Sequence, residues 1–435
     1  MLHTNSEKKG KMFTDYIVLF LSIFIIEWFN SGWFSIIMNR IPGMIKYGFL
    51  IIWLFLCLVT QKERKDLFDK LVFLLLFIAY MYTVQGMAQF QRYVDVIDVY
   101  LKNFMYFGIC FVMYWYYADE SRKSFAKIII VYLVSETIVI ALSTYLQLQI
   151  NPDAARLYTA RLKYAENLED VNLNLFGSFN FFYGIIPFML FLVYCAKQRL
   201  KSKGLCLVLF AVLYFIAVAA SFSTILLVTI IFILIMFVHT AKISNAQKFA
   251  IYAFILGISM VLKGPIAYVF LELSKLEGLS DIVRTRAIEI YQAMSGIVND
   301  DSGLVLRLDL YLKSIRAFFK SPILGIVISS NLYLTGGHST FQDLLAYFGL
   351  LNILFYLYLK KVFQYIYENT KPALKRFVSL YVACYIVLCL LNPMISAQIS
   401  IYWFVLIPLL CKYTKLNGDK NENNSNQFLQ QHESW

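Results

Sequence analysis

The stretch YGIIPFMLFLVYC at 183–195 carries no charged side chain, and stretches like it recur along the whole chain. A bilayer-spanning helix needs about 20 mainly apolar residues, because in lipid every backbone N–H and C=O must be bonded within the segment. By that measure the sequence predicts about twelve spans, at 14–33, 43–60, 67–84, 99–118, 126–147, 175–196, 204–220, 222–240, 247–263, 339–359, 374–391 and 396–413. Composition points the same way: 60% of residues are hydrophobic and 15% charged, against about 45–50% and about 25% in ordinary soluble domains. The expected fold class is therefore an all-α integral membrane protein. The first apolar run contains Glu27 and Trp28 and lacks a small-residue cleavage site before Asn30, so it is read as a retained helix and not a cleavable signal. Spans seven and eight, separated only by SFST at 221–224, form either a tight hairpin or one broken helix.

Short loops rich in Lys and Arg stay on the cytoplasmic side. With the N-terminus inside, well over half of the 39 basic residues fall in inner segments: SEKKGK at 6–11, QKERKDLFDK at 61–70, DESRKSFAK at 119–127, KQRLKSK at 197–203, Lys242, Lys248, Lys360, Lys361, KPALKR at 371–376, and the tail. Both termini are thus expected to be cytoplasmic. Basic inner loops beside anionic lipid account for the net charge of +12, with no nucleic-acid partner needed. All seven cysteines lie in or at the ends of predicted spans, so neither a disulfide framework nor a metal site is expected. The chain divides into a bundle of the first nine spans (1–263), a long outer loop (264–337), the last three spans (338–413) and a polar, disordered tail (414–435).

The outer loop is patterned as helix. In DIVRTRAIEIYQAMSGIV at 281–298, Val283, Ala287, Ile290, Met294 and Ile297 share one helix face. GLVLRLDLYLKSIRAFFK repeats the pattern with Leu304, Leu308, Tyr311, Ile315 and Phe319, until Ser321-Pro322 stops it. Asp309, Lys313, Arg316 and Lys320 share its polar sector, whereas Arg307 lies on the far flank of the apolar stripe, aimed along the membrane surface or toward the bundle. Two amphipathic helices are expected on the membrane face or over the mouth of the bundle. Arg284 and Arg286, two residues apart, face nearly opposite ways on a helix and meet one ligand together only if the segment is extended; Arg161, with Arg92, Arg156 and Lys163, belongs to a set of outward cations suited to a diphosphate, which Arg meets with a planar fork of donors. For each of them alone a solvated loop residue remains the plainer reading.

The stretch GGHSTFQDLLAYFGLL at 336–351 holds the one histidine of four that is not in a bland setting. His338 follows two glycines and precedes an apolar helix; its plainer reading is a histidine that caps the helix at the membrane boundary. The order Arg307, then Pro322 and Gly325, then His338-Ser339, then Gly349-Leu350 resembles the shared region of bacterial O-antigen ligases and Wzy-type polysaccharide polymerases. In such proteins an Arg often follows a Ser in a middle span; here the comparable SFST offers Ser221, Ser223 and Thr224 and no Arg.

The resemblance implies a GT-C-like membrane architecture in the bacterial inner or plasma membrane. The implied activity is repeat-unit polymerisation of O-antigen or capsule: glycan moves from a polyprenyl-diphosphate-linked oligosaccharide to an acceptor hydroxyl on the outer leaflet side. No cofactor and no metal is implied, and a chain-length regulator is an implied partner. The chemistry needs a base at the attacking hydroxyl and cations at the leaving diphosphate. His338 fits the base, since an imidazole of ordinary pKa, about 6.5, is neutral at working pH. Arg307 fits the diphosphate, with Arg284, Arg286 and Arg161 as further candidates. Gln342, one turn after His338, suits orienting it or binding a sugar hydroxyl, and Tyr311 suits stacking on a sugar ring. Gly336 and Gly337 suit close approach by a bulky ligand. A ligase acting on a second acceptor is a close alternative. A lipid-linked oligosaccharide flippase or transporter is the rival of another class, favoured by Glu136 within a span but opposed by the lack of internal repeats and the one dominant loop. Membrane sidedness can be tested directly: Asp300→Cys in intact cells should react with a membrane-impermeant thiol reagent, and labelling only after permeabilisation would reverse the orientation.

Overall fold

A computed structural model describes residues 2–31, 34, 37, 38, 40–61, 64–151, 155, 177–198, 202–220, 222–241, 243–277, 281–295 and 303–414. The side chains described begin at residue 12, and those of a few later residues, Arg286 among them, are outside the description. Arg161 and the tail from 415 onward also lie outside it. The described residues form helices and no strand. We number the helices α1 (Leu2–Asn30), α2 (Gly43–Thr60), α3 (Arg64–Met87), α4 (Gln91–Tyr117), α5 (Lys123–Ile150), α6 (Phe179–Lys197), α7 (Lys203–Ala219), α8 (Ser223–His239) and α9 (Asn245–Val261). Then follow α10 (Lys263–Ser274), α11 (Asp281–Ser295), α12 (Gly303–Lys320), α13 (Thr340–Phe348), α14 (Ile353–Glu368), α15 (Lys375–Leu391), α16 (Ala397–Ile401) and α17 (Ile407–Tyr413).

Eight helices among the described residues are long and apolar enough to cross a membrane. Every predicted span coincides with helix, but α7, α8, α9 and the segment from α16 to α17 are shorter than that criterion requires. Spans seven and eight are two separate helices, both packed on α6. Amphipathic α11 and α12 occur where the sequence periodicity puts them, and α10 is an additional helix of the loop that packs on α11.

Helices that are apolar on all sides belong inside a bundle, and α6 obeys this: every residue from Phe181 to Ala196 is buried. The second half of α4, from Cys110 to Tyr117, and the run from Ile399 to Ile407 are buried in the same way. Near the start of that run the helix widens into a π segment, Tyr402–Leu406, and the Tyr402 ring fills the space beside Gly184, where a Cβ would lie 2.6 Å from the ring. By contrast α2 buries only Leu50, Trp53 and Cys57, so most of its apolar surface faces outward.

The loops that the charge rule assigns to one side contact one another. Lys361 on α14 meets Asp69 on α3 at 2.8 Å, Lys412 donates to Asn369 at 3.1 Å, and Lys197 donates to the Phe237 carbonyl at 3.2 Å. At the centre of this face Arg122 is 1% exposed. Its guanidinium donates to Asp15 at 3.1 Å and to the Thr60 carbonyl at 3.2 Å, and lies 3.9 Å from the Tyr116 ring centre. Tyr116 in turn donates to Asp15 at 2.6 Å. Three helices and a short connection are tied by this one cation.

Removing one partner of a buried ion pair leaves the other charge uncompensated and costs about 3–5 kcal/mol. Arg122→Ala is therefore expected to lower the thermal unfolding midpoint of the detergent-solubilised protein sharply. Lys123→Ala, which loses an exposed pair with Glu120 and a 5.8 Å approach to the Tyr413 ring, should change it little.

Candidate functional site

On the opposite face the chain between α12 and α13 folds back onto the helix ends. Two of its contacts bring together residues far apart in sequence. Pro322 accepts from the Leu350 amide at 2.8 Å, and Gly325 (φ 79°) and Gly349 (φ 61°) adopt left-handed backbone. Side chains cannot replace either glycine: a Cβ at Gly325 would lie 1.9 Å from the Tyr347 carbonyl oxygen, and one at Gly349 2.4 Å from that of Ile323. The Pro–Gly turn and the Gly–Leu break after α13 are thus one packed unit. Tyr80 of α3 donates to the Leu324 carbonyl at 2.6 Å, and the Tyr93 hydroxyl of α4 accepts from the Tyr333 amide at 2.7 Å, fixing the loop over the bundle.

Asp343 organises the segment around His338. It is 2% exposed. Its Oδ1 accepts from the Ser314 hydroxyl at 2.5 Å and the Gly337 amide at 3.2 Å, and its Oδ2 accepts from the Ser339 amide at 3.0 Å. The two amides flank His338, so the carboxylate clamps the backbone on both sides of the histidine while the imidazole is exposed. Asp343 and His338 are within electrostatic reach of each other. The cap of α13 is Ser339, whose Oγ accepts from the Gln342 amide at 3.3 Å and donates to the Cys389 carbonyl at 3.2 Å. His338 is therefore not the helix cap. Thr340 extends the anchoring: its hydroxyl donates to the Asn392 carbonyl at 3.0 Å and accepts from the Met394 amide at 2.6 Å.

Helix α12 is rolled differently from what its apolar stripe suggests. Leu308 (57% exposed) and Phe319 (71%) of that stripe face outward, while Ser314 (1%) and Ala317 (4%) are buried. Small residues allow close contact there: the backbone of Gly336 runs against Leu310, where a Cβ would meet the carbonyl oxygen at 2.2 Å. Gly336 thus admits a neighbouring helix and not a ligand, which corrects the expectation for that residue. The side of α12 that holds buried Ser314 also carries half-buried Tyr311 and, at its exposed edge, Arg307. Arg307 Nη1 donates to Thr224 Oγ1 of α8 at 3.1 Å, and Tyr311 donates to the Leu391 carbonyl of α15 at 2.8 Å. Burial pushes the Tyr311 phenol up from its ordinary pKa, so it stays a donor at neutral pH. Tyr183 of α6 lies against Thr224 and Arg307 and donates to Asn392 at 3.1 Å.

Of the sequence candidates, the structure joins Arg307, Tyr311, His338 and Gln342 to one cluster, linked through Ser314, Asp343 and Asn392. Gln342 serves the cap through its backbone, and its side-chain Oε1 is buried with no hydrogen-bond partner among the described residues. Arg284 rides half-buried on α11, which packs chiefly on α10, and the backbone of Arg286 follows in the same helix. Asp343 is not conspicuous in the sequence because it sits about 140° round the helix from His338. The available signal was its spacing of four from Ser339, the spacing of a side chain that returns to the helix start. Comparison with protein-family models, characterised proteins and solved structures found no match.

Asp343→Ala should free the Gly337 and Ser339 amides. Hydrogen exchange of a peptide covering 336–343 should then accelerate by roughly tenfold or more at these positions, whereas an unchanged rate would show that the carboxylate does not hold the loop.

Proposed function

We propose that this protein is a glycosyltransferase of the membrane, a polysaccharide repeat-unit polymerase that draws glycan from a polyprenyl diphosphate. The observation that carries the reading is the presence, in one cluster, of an exposed, backbone-clamped histidine and an exposed arginine whose guanidinium reaches Thr224 of α8. In the step proposed, an acceptor hydroxyl attacks the anomeric carbon, its proton passes to the His338 imidazole, and the bond from that carbon to the diphosphate oxygen breaks. The electron pair leaves with the diphosphate, whose growing charge Arg307 offsets. Tyr311, one turn from Arg307, adds a hydroxyl and a ring to the same wall, suited to a sugar. Arg307 is supplied by a loop helix yet meets Thr224, within the SFST stretch comparable to the place where O-antigen ligases and polymerases often carry an arginine. The resemblance to polymerases and ligases supports this reading; the bacterial inner membrane and an outward-facing loop belong to it.

A second reading, transport of a lipid-linked oligosaccharide, is favoured by a buried polar cluster within the bundle. Glu136 (7% exposed) lies beside Asn30, and Gln398 donates to the Asn30 carbonyl at 2.9 Å. The Tyr402 hydroxyl accepts from Thr137 at 3.2 Å in the π segment. Incubating the purified protein with lipid-linked repeat units separates the readings: a ladder of lengths marks a polymerase, transfer to a second lipid a ligase, and no product favours transport.

His338→Ala and Arg307→Ala should each abolish chain lengthening while the protein still inserts and accumulates. Chains of normal length in a deletion strain carrying His338→Ala would remove the histidine from the base role.

A further inference from the structure

A cavity of about 670 Å³ lies away from Arg307 and His338, between the start of α2 and the facing stretches of α3 and α4. Its size is within the usual range for small-molecule sites, about 300–1,000 Å³. Arg40, Lys46 and Lys102 line it, with Asp98 as its single carboxylate, and Tyr47 and the buried Leu101 complete the wall. Lys102 and Asp98 pair at 2.5 Å. Arg40 and Lys46 have no ion pair with any carboxylate among the described residues, so two positive charges remain uncompensated. The first turn of α2 has no side-chain cap, which adds the partial positive charge of its amides.

The position of these charges is the informative point. Lys102 is eleven residues into α4, about 16 Å along its axis, where the apolar part of that long helix begins, and its side chain is half exposed. Lys46 is the fourth residue of α2, at the end of its first turn. Cations at the edge of a spanning segment are met by an anionic partner or by a side chain stretched toward water. Here they converge with an arginine on one half-open cavity. Its surroundings are apolar and outward-facing: Tyr82 (57% exposed) is part of its lining, and Met44 (90%) and Val99 (56%) directly follow the lining residues Gly43 and Asp98. A polar pocket with an apolar rim on a membrane helix suits an amphiphile.

We propose that this cavity binds the phosphate or diphosphate headgroup of a membrane lipid, with its chain lying along the exposed surface at Met44, Tyr82 and Val99. The headgroup oxygens take the guanidinium fork of Arg40 and the ammonium of Lys46, while Lys102 remains shared with Asp98. This site is separate from the His338 cluster and does not rest on the transferase reading.

The test uses the full-length protein in phosphatidylcholine nanodiscs doped with phosphatidic acid, with retained lipid measured by native mass spectrometry. The wild-type protein should retain phosphatidic acid over phosphatidylcholine. The double variant Arg40→Gln/Lys46→Gln should lose that preference by about tenfold or more, and the charge-keeping Arg40→Lys/Lys46→Arg should keep it. A second arm adds inorganic pyrophosphate to the detergent-solubilised protein. Thermal stabilisation by pyrophosphate, absent from the Gln variant, would assign the phosphate chemistry without a need for the lipid chain; stabilisation by the lipid alone would assign the lipid. No preference in the wild type with no pyrophosphate effect, or a preference that the Gln variant retains, would overturn the site. His338→Ala should leave this binding intact, so a failure here and a failure of the transferase reading are told apart.

Discussion

Backbone that leaves the helical path within an apolar bundle has no water to turn to, so its hydrogen bonds must be found inside the protein. Two interruptions of the late helices show how this is met. After α13 the chain turns at Gly349, and the Leu350 amide bonds to the Pro322 carbonyl of the incoming loop. After α15 the chain leaves the helix at Asn392, whose carbonyl takes both the amide and the hydroxyl of Thr340. The irregular segments satisfy one another. That is why the loop between α12 and α13 is held against the helix ends on one face.

The same requirement explains the Asp343 clamp. A carboxylate this deeply buried is tolerated only when its oxygens are fully engaged, and here the Ser314 hydroxyl and the amides of Gly337 and Ser339 engage them. One acidic group thereby decides two things. It fixes the roll of α12, since Ser314 must face inward, and it fixes the backbone on either side of His338. Tyr311 and Arg307, one and two turns before Ser314, are turned with it toward α15 and α8.

The two polar faces of the molecule differ in kind. On the face that holds Arg122, cations are consumed by structure, through Asp15, Tyr116 and backbone carbonyls. On the other face Arg307 donates to the neutral Thr224 hydroxyl, and Arg307, Arg40 and Lys46 have no carboxylate partner among the described residues. Cations that the fold leaves in excess, on one face, beside apolar membrane surface, are the common thread between the transferase reading and the lipid-phosphate cavity.

Apolar run length was enough to make the described residues helical, with eight helices long and apolar enough to cross a membrane, because backbone desolvation leaves a single-chain apolar segment almost no alternative to helix. Periodicity was enough to locate α11 and α12, and the isolation of His338 and the off-stripe position of Arg307 marked both residues before any contact was known. Residue spacing within one helix is fixed by its geometry, so such features are readable from the chain. Which way α12 rolls was not: its larger apolar stripe argued for one face, and the hydrogen bond from Ser314 to Asp343 and the close approach of Gly336 selected the other. Nor could sequence find the cavity at Arg40, Lys46 and Lys102, or the seat of Pro322 and Gly325 against Gly349. These depend on distances between segments tens to hundreds of residues apart, and only the packed tertiary structure sets those distances.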